Sequence, residues 1–168
     1  MKIVRLSADH SFKPFDCGES DLNEFLLQDA KLYSQQLLAV TYIIEDEIDT
    51  VAFFSLSNDR ISISETDKST WRRIRSAFPH RKHRSDYPAV KIGRLGVHLK
   101  AQHCHIGTDI LDFIKQTFIT NNRTGCSFVT VDALHSAVSF YESNGFRALR
   151  KDNKGDTVPM YYDLKQLL

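Results

Sequence analysis

Two stretches of this 168-residue chain combine residue types and spacings that chemistry can use. The first, LGVHLKAQHCHIGT from Leu95 to Thr108, reads as an apolar strand that runs into a tight turn and opens a helix. Backbone N–H groups at a helix start have no intrahelical acceptor, and the macrodipole adds partial positive charge there. The turn Gln102, His103, Cys104, His105, Ile106, Gly107, Thr108 is therefore predicted to hold a diphosphate through its amides, without lysines or a metal ion. The second stretch, VDALHSAVSFYESNGF from Val131 to Phe146, sets Phe140 and Tyr141 on a helix that follows a strand. Taken alone, such a pair reads as packing aromatics.

A third stretch, KSTWRRIRSAFPHRKHR from Lys68 to Arg84, carries seven Lys and Arg residues and no acid, although the whole chain is formally only +1. Concentrated charge beside Trp71 and Phe78 predicts a footprint for a nucleic-acid backbone and an unstacked base. The competing reading is a solvated helix face. His98, His103, Cys104 and His105 invite a metal, but adjacent turn residues rarely converge on one ion and no distant pair completes a tetrahedral set, so no metal site is expected. Cys17, Cys104 and Cys126 have no CxxC spacing and read as reduced thiols. His98 on an alternating strand is expected to partner a neighbouring polar group, with general-base work as the alternative.

The first stretch resembles the acyl-CoA-binding motif of the GNAT N-acetyltransferases, a strand leading into Gln/Arg-x-x-Gly-x-Gly/Ala and a helix. Gln102 and Gly107 match, and His105 stands at the first glycine, where a side chain resists positive φ. The second stretch resembles the family's Ala-x-x-Phe-Tyr-x-x-x-Gly-Phe, here Ala137, Phe140, Tyr141, Gly145 and Phe146, with Leu134 where many members have Asn. FDCGESDLNEFLLQDA from Phe15 to Ala30, and Gly93-Arg94-Leu95, resemble the toxin-type branch of that family.

The resemblance implies a cytoplasmic enzyme that transfers an acetyl group from acetyl-CoA to a primary amine. Freed backbone groups of Leu95, Gly96 and Val97 would take the pantetheine arm and polarise the thioester carbonyl. Tyr141 would protonate the departing sulfur, since a phenol with pKa ~10 is neutral at pH 7. From Lys91 to Leu99 the chain has no Asp or Glu to serve as a base. A site without a strong base suits an α-amine of pKa ~7.7–8.0 better than a lysine of ~10.4, and the toxin-type branch implies the α-amine of aminoacyl-tRNA. Arg72, Arg73, Arg75 and Arg94 are the expected substrate or RNA contacts. A small antitoxin protein and a homodimer are further implied partners. The alternatives are acetylation of a protein N-terminus or small amine, and a catalytically degraded module that binds RNA or a partner.

These groups need a scaffold. Length and composition predict one domain. No apolar run reaches membrane-spanning length, and MKIVRLSADH is not a signal peptide. Strands are expected at 2–6, 39–44, 50–56, 61–64, 90–99, 127–131, 146–149 and 158–164, with helices after Ser20, from Gly107 to about 121 and from Ser136 to Asn144. Strand–helix alternation from Val90 onward implies a parallel pair, and the hairpins are antiparallel. The fold class is α/β, a single GNAT-like domain with a mixed, mostly antiparallel central sheet, a splayed parallel strand pair and flanking helices.

Overall fold

The computed structural model describes residues 2–168. Its strands are β1 (Lys2–Arg5), β2 (Val40–Glu45), β3 (Thr50–Ser62), β4 (Asp86–Val97), β5 (Phe128–Leu134), β6 (Arg147–Ala148) and β7 (Thr157–Asp163). They join one sheet in the order β1-β2-β3-β4-β5-β7-β6, with β4 and β5 parallel and the other neighbours antiparallel. The mixed sheet inferred from strand–helix alternation is the one that forms. The chain builds two compact units, the residues through Ser57 with Ile92–Ile114, and Asn58–Lys91 with Lys115–Leu168.

In the first unit, β1 pairs with β2 from Lys2↔Glu45 to Arg5↔Tyr42, and β2 with β3 from Val40↔Leu56, with a bulge between Ile44 and Glu45. The EDEID turn closes this hairpin because the Asp46 carboxylate accepts from the N–H groups of Ile48 and Asp49, each at 2.8 Å. Residues 20–35 are helical, as α1 (Ser20–Glu24), a π-helical turn (Phe25–Asp29) and α2 (Ala30–Gln35). Ser20 is the first helical residue and not the cap, which falls on Glu19. The wide turn adds a residue between apolar positions, so Phe25, Leu26 and Ala30 all stay buried, packing with Phe15, Cys17, Ile43 and Phe53. Leu37 lies past the helix end at φ 59° and is 92% exposed.

In the second unit, β5 and β7 pair from Phe128↔Asp163 to Leu134↔Thr157, and β6 adds Arg147↔Tyr161 and Ala148↔Met160. β5 meets the first half of β4 through Ser127 N–H to Pro88 O at 3.0 Å. The separate edge strand expected at 61–64 does not exist; Ile61 and Ser62 are buried, and their burial carries β3 on to a 3₁₀ turn at Ile63–Glu65. The helix expected at Ser136–Asn144 begins as a 3₁₀ turn, His135–Ala137, and becomes α5 only at Val138–Ser143. Among α3 (Lys68–Ser76), β3, β4, β5 and β7, the core is Ile61, Trp71, Ile74, Tyr87, Ala89, Phe128 and Tyr161.

Gly96 is the tightest point of the first unit. A Cβ there would stand 2.8 Å from the Phe53 ring and 3.3 Å from that of Phe15, and Phe53 is itself fully buried. Gly96→Ala is therefore expected to lose about 1–3 kcal/mol, as overpacked cores do. A urea midpoint equal to the parent's would show that the rings can yield.

Candidate active site

The turn after β4 is organised by side chains that spend their hydrogen bonds on backbone. His98, 8% exposed, accepts the Lys100 N–H on Nδ1 at 3.1 Å and so caps the 3₁₀ turn Leu99–Ala101. A neutral imidazole accepting on Nδ1 carries its proton on Nε2, so this ring is a structural partner and not a free base. The Gln102 side-chain amide donates from Nε2 to Cys17 O and to Val97 O, both at 3.0 Å. Both amide hydrogens are used. Gln102 therefore braces the turn, tying the end of β4 to the Phe15–Gly18 loop.

The helix α4 (Ile106–Thr120) begins where the sequence put it, within one residue, and buries Ile110, Leu111 and Ile114 at 1% exposure each. Its first internal bond runs from Asp109 N–H to His105 O, 3.0 Å. The amides of Ile106, Gly107 and Thr108 precede any intrahelical acceptor, and His103, Cys104 and His105 in front of them are exposed. His103 and His105 both sit at φ 63°. The backbone thus adopts the left-handed conformation that a glycine would favour, despite the imidazole at the motif's first glycine. Each such residue costs on the order of 1 kcal/mol. His105→Gly is accordingly expected to raise stability by up to about 1 kcal/mol and to leave acetyl-CoA affinity equal or better, read by thermal melts with and without the ligand. Weaker ligand binding in that variant would give the imidazole a part in the contact.

Tyr141 lies on α5, 6% exposed, with the rings of Phe140 and Phe146 edge-on at 5.1 and 5.4 Å. Burial pushes its phenol up to about 12. That is a weaker acid than a free phenol, but one that stays protonated at every physiological pH. The helix carrying it is closed by Gly145 at φ 86° and by Phe146 N–H to Tyr141 O, 3.0 Å. A residue that sequence reasoning missed also holds this end. Lys115, 6% exposed, donates from Nζ to Asn144 O at 3.0 Å and lies 4.4 Å from the Tyr162 ring centre and 5.9 Å from that of Phe146. Its place on an amphipathic helix gave no sign of burial.

The basic stretch divides by helix face. Arg72, Arg73 and Arg75 are exposed on α3, which has no acid of its own, while Trp71 and Ile74 are buried. The expectation that Trp71 and Phe78 offer ring faces to a base is overturned. Trp71, 4% exposed, packs on Tyr87, and Phe78 stacks on Tyr87 at 4.0 Å with Lys165 Nζ 4.2 Å from its ring centre. Arg94 belongs to the other unit and lies over the Phe25 ring at 4.9 Å. Leu134 ends β5 half exposed. Among the described residues no group of three His, Cys, Asp or Glu is placed to hold a metal ion, the three cysteines are unpaired, and no helix is long and apolar enough to cross a membrane.

Amides without an intrahelical acceptor at the start of a fifteen-residue helix and an exposed turn before them fit the diphosphate of coenzyme A. Comparison with known proteins agrees. Residues 80–162 match the family described as an acetyltransferase (GNAT) domain. The fold is similar to that of a tyrosine-to-phenylalanine mutant of KacT, with TM-score 0.79, 21% identity, and coverage of 99% of this chain and 98% of that one. It is similar to AtaT complexed with acetyl-methionyl-tRNAfMet, with TM-score 0.75, 19% identity and coverage of 99% and 96%. A third similar structure is a tyrosine-to-phenylalanine AtaT mutant toxin bound to the C-terminus of the antitoxin AtaR and acetyl-CoA, with TM-score 0.74, 20% identity and coverage of 99% and 94%. A GNAT acetyltransferase match over residues 80–162 and a fold shared with these structures over nearly the whole chain together place the protein beside that family.

Proposed function

We propose that the protein acetylates the α-amine of an aminoacyl-tRNA, with Tyr141 as proton donor to the leaving sulfur. The amides of Ile106, Gly107 and Thr108 hold the diphosphate of acetyl-CoA, and backbone at Leu95, Gly96 and Val97 takes its arm and polarises the thioester carbonyl. Bound there, acetyl-CoA supplies an activated acyl group. Tyr141 remains neutral because burial raises its phenol to about 12, so the hydrogen stays available as negative charge develops on sulfur. Two of the similar structures are tyrosine-to-phenylalanine variants, which supports a working tyrosine in proteins of this fold.

The observation that carries the acceptor assignment is α3, which presents Arg72, Arg73 and Arg75 to solvent with no acid on the same helix. Such a face suits a polyanion. The similarity to AtaT complexed with acetyl-methionyl-tRNAfMet supports RNA as that polyanion, and the AtaT–AtaR complex supports a small antitoxin protein as a second partner. An α-amine also asks least of a strand with no carboxylate from Ile92 to Val97.

Tyr141→Phe is expected to cut kcat by roughly a hundredfold or more while acetyl-CoA affinity holds, the usual size of the effect when a general acid is removed. Equal turnover removes Tyr141 from the role. Replacing Arg72, Arg73 and Arg75 with Ala should weaken tRNA binding and lower the log–log salt slope by up to about three, roughly one for each phosphate no longer neutralised. An unaltered slope would leave the arginines to solvent. Assaying charged tRNA beside N-terminal peptides and polyamines decides the acceptor class.

A further inference from the structure

The Asn58–Lys91 and Lys115–Leu168 unit contains a cavity of about 280 Å³ to which the chemistry above assigns nothing. Asp59 and Arg60 on β3, Glu65, Lys91 on β4, Thr130 and Asp132 on β5, and Arg150 line it, with Leu149 and Met160 as apolar lining. Its charges are not all compensated. Asp132 is neutralised by Lys91, Nζ to Oδ2 at 2.5 Å, and Arg60 turns to Asp86 at 3.9 Å. Asp59 receives only the Thr130 hydroxyl, Oγ1 to Oδ2 at 2.5 Å, and among the described residues no cationic side chain lies within ion-pair distance of it.

Thr130 is 4% exposed, so this hydroxyl is fixed and Asp59 is held in one orientation. A carboxylate has about four acceptor positions, and one neutral hydroxyl leaves the charge uncompensated. A partly buried carboxylate of that kind, facing a cavity, favours a cationic or strongly donating guest. Arg150 offers the opposite charge. It is exposed and, among the described residues, has no carboxylate within ion-pair distance. The cavity thus presents carboxylates for an amino group, the partly buried Asp59 and the exposed Glu65, apolar surface, and in Arg150 a cation for a phosphate.

We infer that this cavity receives the aminoacyl end of the acceptor RNA, with the Asp59 carboxylate binding the α-amino group and Arg150 a phosphate of the same strand. The assignment rests on the aminoacyl-tRNA reading above.

Asp59→Asn keeps an oxygen for the Thr130 hydroxyl and should fold like the parent. Puromycin, an aminoacylated nucleoside with a free α-amine and no phosphate, is the probe, titrated calorimetrically. Its affinity is expected to fall roughly tenfold to a hundredfold in Asp59→Asn, as when a charge-assisted bond is removed, with a matching rise in KM for aminoacyl-tRNA and an unchanged KM for acetyl-CoA. Arg150→Ala should raise the tRNA KM and leave puromycin affinity unchanged. Equal puromycin binding by parent and Asp59→Asn, or no binding by the parent, overturns the cavity assignment. A parent that acetylates no aminoacyl-tRNA overturns the acceptor reading instead, and the puromycin titration still judges the cavity.

Discussion

One side-chain amide fixes the geometry of the turn that opens α4. Gln102 sends its two hydrogens to carbonyls from separate segments, Val97 at the end of β4 and Cys17 in the Phe15–Gly18 loop. Leu99 N–H adds a bond to Asp16 O at 2.9 Å, and Asp16 in turn accepts from Gly18 N–H and the Asn23 amide. A turn held at both ends cannot relax by sliding. That explains how His103 and His105 persist at positive φ: surrounding bonds over-determine a conformation that neither residue would choose. The outcome is a helix start whose first amides stay exposed.

The surroundings of Tyr141 follow a different logic. Tyr141 sits at low exposure among Phe140 and Phe146, and desolvation raises its phenol. Protonation is secured at the cost of acid strength. The six-residue helix beneath it is too short to hold itself, since isolated helices of that length are unstable in water. Gly145 and the Lys115 ammonium at its last carbonyl take up the task.

Much of this was legible in the chain itself, and the misses share a cause. Helix α4 showed in Ile110, Leu111 and Ile114, and the β2–β3 hairpin in two β-rich runs around an acidic turn, because local periodicity decides both. The turn before α4 was legible through Gln102 and Gly107, but the bracing role of Gln102 was not, since its acceptor Cys17 lies far off in sequence. Trp71 looked like a nucleic-acid contact because its neighbours are arginines; helical rotation puts it on the opposite face, in the core. Asp59 fell in a polar run without a motif, and only pairing of β3 and β5 residues with the same cavity reveals it. Long-range contacts were what one-dimensional spacing could not carry.

The two compact units are each assembled from pieces that are not contiguous in the chain: one stops at Ser57 and resumes at Ile92, the other takes over from Asn58 to Lys91 and again from Lys115. β3, β4 and α4 each cross a boundary mid-element. No single cut of the polypeptide can release either half intact, and a ribosome must deliver the final strand pair before the unit begun at Asn58 has its core. Closing such loops raises contact order and slows the search. A nascent chain of this design would spend its early life with apolar strands unpaired, a stage at which chaperones or a binding partner would matter most.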